Sequence, residues 1–254
     1  MIQKLLTLIP FWIVILLGYF FIKRLQKKLA KEILWATFRT TIQLIALAFA
    51  LEMIFTSTLF VLSLFVSIVM TLNSSLHSYK RSKFKEKSIF FNSLLANVMA
   101  IWPIAFIFSF EQSSIEWSQP KVLLPLMGML LGNSLNGVNI GLETFLSSTK
   151  DKKDEILTLL ALGATNEESM KNIFYRSLSL GLKPHLNSML SMGVVSIPGM
   201  MTGQLLSKTS AFDASIIQVK MMIAICVGTF LSIFIALKLM QKKIFKPTGE
   251  LCIE

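Results

Sequence analysis

Seven stretches of mainly hydrophobic residues alternate with short polar or charged segments along this chain. A helix of about 20 apolar residues crosses the hydrocarbon layer of a membrane, so the pattern predicts an all-α transmembrane bundle with seven spans. Only residues 56–58 separate the second and third stretches, which predicts a tight helical hairpin. The stretches lie at 5–22, 38–55, 58–77, 88–109, 122–141, 185–206 and 216–240.

The composition supports a membrane protein. Hydrophobic residues make up 54% and charged residues 15% of the 254 residues, and the mean hydropathy is +0.66. Such a chain is too apolar to be disordered and has too little charge to cover a soluble surface. The chain has only two Cys and two His residues. They are too few and too scattered to build a disulfide framework or a four-ligand zinc site.

The net charge of +11 predicts an orientation rather than a nucleic-acid partner. Of the 25 Lys and Arg residues, 21 lie in the segments 23–39, 77–87, 142–184 and 238–254, which share one side if seven spans alternate. Basic loops favour the cytoplasmic side. We therefore expect one multi-pass domain, 1–254, in the cell membrane, with its N-terminus outside and its C-terminus inside. The first stretch precedes its basic cluster, which indicates a retained helix and not a signal peptide.

The longest predicted loop, 142–184, has the pattern of a cytoplasmic helical hairpin. Acidic residues open the first helix, where the helix dipole favours them. One apolar face follows, and Gly163 is a plausible helix end. The acidic residues at the helix start are Asp151, Asp154 and Glu155, and the apolar face consists of Ile156, Leu159 and Leu160.

Thr165 and Glu168 match a capping box that opens the second helix of this hairpin, which continues through Ile173, Phe174, Leu178 and Leu182. Two interpretations of the hairpin are open. Its apolar face can dock in a groove of a cytoplasmic partner, or the hairpin can pack beneath the membrane or in its interface.

Polar and small residues interrupt the fifth and sixth stretches. Asn133, Asn136 and Asn139 fall on one helical face, which should meet protein or a water-filled path. Hydrogen bonding between helices and lining of a substrate pathway are both open for these amides. The pairs Gly128–Gly132, Gly137–Gly141 and Gly199–Gly203 allow close helix contact.

Pro198 and Gly199 predict a kink or broken helix in the middle of the membrane. Ser196, Thr202 and Gln204 can satisfy the carbonyl groups that such a break exposes. A packing kink without a ligand is the alternative to a binding site.

Little in the chain suggests catalysis. Gly132 and Gly137 have P-loop spacing, but Val138 and Asn139 follow where Lys and Ser or Thr are required. No Ser-His-Asp, Cys-His or paired-carboxylate arrangement is evident. The 14 methionines can bind soft ions such as Cu(I), although Met is more often a packing residue. They include Met127, Met129, Met189, Met192, Met200 and Met201.

Three blocks together resemble the FetB/YbbM family of ABC-transporter permeases. They are PLMGMLLGNSLNG (125–137), DEILTLLALGATNEE (154–168) and LNSMLSMGVVSIPGMMTGQLL (186–206). The family's Gly-Asn pair matches Gly132 and Asn133, its Pro-Gly-Met-Met matches 198–201, and its Leu-Gly-Ala-Thr matches 162–165. The chain departs at Asn166, where Pro is frequent, and at Ile197, where Leu is usual.

The resemblance implies a permease subunit, itself no enzyme and without a bound cofactor, that works as a homodimer. A separate cytoplasmic ABC ATPase would bind ATP and Mg. Bacterial members are associated with iron export, and plant relatives with aluminium tolerance, for which a nucleotide sugar has been proposed as substrate. Coupling to the ATPase would fall to Glu155, Ile156, Leu159, Leu160, Gly163, Ala164 and Thr165.

The expected substrate pathway, between facing copies of spans five to seven, comprises Asn133, Asn136, Pro198, Gly199, Met200, Met201, Thr202 and Gln204. No metal ligands are assigned. An ABC permease for a non-metal substrate is one alternative. An ATP-independent secondary transporter or channel is another. Such a protein needs an acid or a histidine inside the membrane for ion coupling, whereas Glu52 and His77 lie near span ends. A structural or sensing membrane protein is a third.

Overall fold

The computed structural model describes residues 7–55, 60–84, 86–111 and 120–245. Within these residues the chain forms helices and turns and no β-strand, which confirms the all-α prediction. The helices are α1 (Ile9–Leu25), α2 (Lys27–Phe55), α3 (Phe60–Arg81), α4 (Lys87–Glu111), α5 (Pro120–Asp151), α6 (Lys153–Ala161), α7 (Asn166–Ser191), α8 (Gly199–Leu206) and α9 (Ala211–Ile244).

Four of the described helices are long and apolar enough to cross a membrane. The apolar segments are Lys27–Glu52 of α2, Val61–Arg81 of α3, Lys87–Phe108 of α4 and Ala211–Ile244 of α9. At about 1.5 Å per residue, each can span the roughly 30 Å hydrocarbon layer. The chain is therefore a multi-pass helical membrane protein. Seven spans and the orientation of the termini stay predictions.

Several helices extend beyond the hydrophobic stretches. The segment 23–39, predicted as a loop, is helical except at Gln26, because Lys, Leu, Ala and Glu favour helix even where they are too polar for lipid. Asp151 ends α5 and does not open the hairpin. The predicted turn at 56–58 lies outside the described residues.

The helical hairpin is present, but its boundaries differ from 142–184. Its first helix is α6, and its second is the start of α7, which continues without interruption into the predicted sixth span. Pro184 lies inside α7 although it removes one backbone donor. The hairpin and that span are thus joined by one helix.

The predicted helix break is present after Ser191. Residues 192–198 form a turn, and Pro198 is the N-cap of α8. At about 1.5 Å per residue, the break lies roughly 38 Å along α7 from its start, at the end of that helix away from the hairpin. Its depth in the membrane stays a prediction.

Contacts divide the chain into two compact units, Met1–Thr58 and Leu59–Glu254. In the first, α1 and α2 pair through the rings of Trp12 and Phe38, whose centroids lie 6.3 Å apart. Most of the described apolar side chains of this unit are exposed, and Ala30 is buried. Two apolar helices with so little internal burial are suited to contact with lipid.

The second unit contains two clusters of buried apolar side chains. One cluster lies beside the hairpin and includes Phe145, Ile156 and Leu237. The other surrounds Met127 and Met221 and extends to the helix break. Helices α5 and α9 contribute to both clusters, so they connect the hairpin end of the bundle to the end that carries the break.

Buried polar groups join α3, α4 and α5 between these clusters. Asn97 of α4 donates to the Ser74 hydroxyl of α3 at 3.4 Å and accepts from Ser134 of α5 at 2.7 Å. The indole of Trp102 donates to Thr71 at 3.2 Å. Since lipid offers no hydrogen bonds, these polar side chains are stable only where helices face one another.

Helices α5, α7 and α9 meet at three glycines. A Cβ atom on Gly181 of α7 would lie 2.7 Å from the Gly137 carbonyl oxygen of α5, and one on Gly141 would lie 2.9 Å from the Ile233 side chain of α9. The close contact predicted for Gly137 and Gly141 is therefore confirmed. No close neighbour within 4 Å was found for Gly132, Gly199 or Gly203 in the described structure, and Gly128 has only Met70 at 3.4 Å.

We expect Gly181→Ala to destabilise the bundle by about 1–3 kcal/mol, because the added methyl group forces two backbones apart. Gly132→Ala is the matched control, since its methyl group enters open space and Ala favours helix by about 1 kcal/mol over Gly. Thermal unfolding of both variants in the same detergent measures the difference. Equal midpoints for the two variants would contradict a close crossing at Gly181.

Candidate functional site

A cleft of about 500 Å³ opens between the end of α7, the turn after it, α8 and α9. Four methionines line it, and Pro198, Gly193 and Gln218 are among its other lining residues. Gly193 has a φ of +81°, a conformation that favours glycine, and its amide donates to the Ser196 carbonyl at 2.9 Å. The methionines, which define the methionine cleft, are Met189, Met192, Met201 and Met222.

Gln218 is the most constrained polar group in the methionine cleft. Its side chain is 8% exposed, and its Nε2 donates to the sulfur of Met192 at 3.8 Å. Its Oε1 is buried without a hydrogen-bond partner in the described structure. A buried amide oxygen without a partner is costly, so this atom points to a ligand or a water molecule in the cleft.

A second cleft, of about 330 Å³, lies nearer the hairpin between α3, α4, α5 and α7. Arg81, Asn136, Asn139 and Glu143 supply most of its polar groups, so we name it the polar cleft. The Ser78 hydroxyl, buried and without a described partner, also lines it. This lining can bind an anionic or hydroxyl-rich group, because guanidinium and amide groups hydrogen-bond carboxylate, phosphate and sugar oxygens.

An ion pair lies at the edge of the polar cleft. The ammonium of Lys83 lies 2.6 Å from the Glu143 carboxylate. Its hydrogen bond to Glu143, and then the attraction between the two charges, raise the pKa of Lys83 above its ordinary value. Both side chains are substantially exposed, so the pair contributes little to stability, but it connects the segment after α3 to α5.

The hairpin turn has the predicted capping chemistry. Gly163 has a φ of +92° and ends α6, and the Ala164 amide donates to the Leu159 carbonyl. Thr165 caps α7: its hydroxyl accepts from the Glu168 amide, and Glu168 accepts from the Thr165 amide at 2.8 Å. These hydrogen bonds from Thr165 hold the pKa of Glu168 below its ordinary value.

The apolar face of α6 is turned toward the chain itself. Ile156 is 1% exposed within the core, and Leu160 packs against the same cluster. Leu159 and Ala164 are half-buried, whereas Glu155, Gly163 and Thr165 are exposed. Packing beneath the bundle, the alternative interpretation of this face, is therefore what the structure shows for Ile156 and Leu160.

A different surface of the hairpin is free. Leu157 and Leu162 are exposed, Leu162 by 80%. The Lys238 ammonium lies 2.8 Å from the Glu167 carboxylate and above the ring of Phe174, which connects the start of α7 to α9. A protein partner would meet Leu157, Leu162 and the exposed turn residues first.

The predicted pathway residues do not lie together. Asn136 lines the polar cleft, while Asn133 donates to the Met129 carbonyl of its own helix at 2.8 Å. Pro198 and Met201 line the methionine cleft, and Met200 packs against the adjacent core cluster. At the predicted break, the Thr202 hydroxyl donates to the Pro198 carbonyl, and Gly199 is exposed. The Oε1 atom of Gln204 is buried without a hydrogen-bond partner in the described structure.

Sequence reasoning missed Gln218, Met222 and Arg81. Gln218 and Met222 are four residues apart, so the sequence places them on one face of α9. The sequence does not show which helix this face contacts. Arg81 was counted as a basic loop residue, although it ends α3 and lines the polar cleft. Among the described residues, no group of three or more His, Cys, Asp and Glu side chains could hold a metal ion.

Comparison with known proteins gives one family. A family model described as "Uncharacterised protein family (UPF0014)" matches residues 5–245. A UPF0014 membrane protein of Synechocystis sp. is 29% identical over 89% of this chain and 87% of its own length. The "Probable iron export permease protein FetB" of Escherichia coli is 27% identical over 90% and 88%.

A plant relative matches a shorter part. The "Protein ALUMINUM SENSITIVE 3" of Arabidopsis thaliana is 31% identical over 41% of this chain and 38% of its own length. No solved structure matches the chain.

The capping box generates a pH dependence. Because the folded-state pKa of Glu168 is lowered, its contribution is present above the ordinary Glu pKa and is lost as the pH falls through the folded value. We expect amide protection factors at 165–170 to decrease between pH 5.5 and pH 3, about the range in which such carboxylates titrate. Hydrogen exchange detected by mass spectrometry measures this, with Glu168→Gln as the control that cannot titrate. The same decrease in that variant would assign the effect to another group.

Proposed function

This chain belongs to the UPF0014 family of membrane proteins, and from that membership we propose that it is the permease subunit of an ATP-driven exporter. In this proposal a separate cytoplasmic ABC ATPase binds ATP and Mg, two copies of the permease pair, and iron or a related metal leaves the cell. The observation that carries the proposal is the 27% identity over 90% of this chain to the Escherichia coli protein named as a probable iron export permease.

The hairpin is proposed as the coupling element. Helix α7 starts at the capping box and reaches the methionine cleft without a break. A displacement of the hairpin by a closing ATPase would therefore move the lining of the cleft. ATP turnover would shift the permease between inward- and outward-open states, because the ATPase binds the two states with different affinity.

The free face of the hairpin, with Leu157 and Leu162, is proposed as the contact with the ATPase. This revises the expected docking surface, since Ile156 is occupied by core packing. Glu155, Gly163 and Thr165 remain exposed and can contribute to the same surface. Seven spans with the N-terminus outside would place this face in the cytoplasm.

A non-metal cargo is the second candidate, and the polar cleft favours it. Arg81, Asn136, Asn139 and the hydroxyl of Ser78, which is unpartnered in the described structure, suit the oxygens of a phosphorylated sugar or an organic anion. The negative charge of Glu143, which also lines the cleft, is offset by its ion pair with Lys83. An ATP-independent transporter is a third candidate. It predicts that no ATPase associates with the chain.

We expect Leu162→Asp to abolish co-purification of the chain with an ABC ATPase expressed from a neighbouring gene. Leu162 is 80% exposed, so the substitution puts a charge on the docking surface without disturbing the core. Leu162→Met keeps an apolar side chain and should retain the complex, and equal thermal midpoints of the two variants would show that both fold. Retention of the ATPase by Leu162→Asp would contradict the assigned surface, and no association of the unaltered chain would favour an ATP-independent transporter.

We expect Fe(II) to stimulate ATP hydrolysis by the purified complex in lipid by severalfold, because cargo binding favours the state in which the ATPase closes. A nucleotide sugar, added under the same conditions, tests the second candidate. Stimulation by the sugar and not by Fe(II) would assign the cargo to the organic class. A complex that neither compound stimulates would retain the subunit assignment and overturn both proposed cargoes.

A further inference from the structure

The lining of the methionine cleft fits a particular class of cation. Four thioethers, from Met189, Met192, Met201 and Met222, come from three helices and the turn between two of them. Thioether sulfur is a soft ligand that favours soft cations.

Two buried polar atoms on the helices that carry Met189 and Met222 lack partners in the described structure. Gln218 Oε1 belongs to the cleft, and His185, one turn before Met189 on α7, has an Nε2 that is buried without a partner in the described structure. The His185 side chain also hydrogen-bonds the Met222 backbone. An imidazole nitrogen and an amide oxygen are metal ligands, and the amide oxygen belongs to the lining of the cleft.

The lining carries no charge. No Asp, Glu, Cys, Lys or Arg is among the residues that line the methionine cleft. A divalent cation would lose much of its hydration here without an anionic ligand to compensate, whereas a monovalent cation carries a much smaller desolvation cost. Neutral soft ligands thus select against Mg²⁺, Ca²⁺ and Mn²⁺ and favour a monovalent soft ion.

We propose that the methionine cleft is a binding site for a soft monovalent transition cation of the Cu(I) class. Met192 and Met201 supply thioether ligands from opposite sides of the helix break, and Gln218 supplies an amide oxygen. This inference goes beyond the proposed function: it assigns a second class of metal, Cu(I) and not iron, to this cleft, while Fe(II)-stimulated turnover tests the iron cargo separately. Gly193 and Pro198 shape the turn so that Met192 and Met201 line the same cavity.

Metal binding by the full chain alone, without an ATPase, tests the site. Ag(I) is the probe, because it is a soft monovalent ion that does not change oxidation state under these conditions. It is titrated into the purified protein in competition with a chromophoric chelator, and anaerobic Cu(I) and Fe(II) are titrated separately. We expect saturable binding of Ag(I) and Cu(I), and binding of Fe(II) at least tenfold weaker.

The double variant Met192→Leu and Met201→Leu should weaken Ag(I) binding at least tenfold, because it removes two sulfur ligands at nearly constant volume. Met127→Leu is the matched control: Met127 is buried in the neighbouring cluster and does not line the cleft, so binding should change less than twofold. Thermal unfolding of both variants checks that each is folded. X-ray absorption of bound Cu(I) should show sulfur neighbours in the unaltered chain and fewer in the double variant.

Three outcomes would overturn the inference. They are unchanged Ag(I) binding in the double variant, tighter binding of Fe(II) than of Ag(I), and bound Cu(I) without sulfur neighbours. Failure of the site is distinguishable from failure of the proposed function. The first is measured by metal binding to the chain alone, the second by association with an ATPase and by its stimulated turnover.

Discussion

The crossing of α5, α7 and α9 at Gly137, Gly141 and Gly181 sets the geometry of the second unit. At this point the Ile233 side chain fills the space that Cβ atoms would otherwise occupy, and helix backbones come into direct contact. In lipid, where apolar surfaces gain little by leaving the solvent, such close packing is a main source of helix association. The crossing fixes α7 against α9, and both clefts and the hairpin are built on these helices or on α5.

Polar groups follow the same geometry. The serines and the asparagine that join α3, α4 and α5 are buried where helices meet, and their hydrogen bonds are largely satisfied. Two of the buried polar atoms without a partner in the described structure lie at cavities, Ser78 at the polar cleft and Gln218 at the methionine cleft, whereas others, such as Ser93, Thr229 and Ser232, line neither cleft. A membrane bundle tolerates an unpartnered polar atom best where water or a ligand can reach it.

The hairpin shows how packing decides which face of an amphipathic helix is available. Ile156 and Leu160 follow the expected spacing, and that spacing alone is compatible with docking in a partner or with packing on the chain's own core. The core occupies this face, so the exposed side of α6 and the turn at Leu162 form the free surface. Since α7 carries the turn at one end and Met189 at the other, the hairpin and the methionine cleft belong to one continuous helix.

The sequence by itself determined the features that depend on local chemistry. Hydrophobic stretches predicted an all-helical membrane protein, Thr165 and Glu168 predicted a capping box, Gly163 predicted a helix end, and Pro198 predicted a break. Each depends on residues a few positions apart. The tertiary structure alone decided which distant residues share a cavity, because Gln218 meets Met192 and Arg81 meets Asn136 only through the angles and offsets at which helices cross. Those angles depend on packing between helices far apart in sequence, such as the contact of Gly181 with Gly137, which no local pattern encodes.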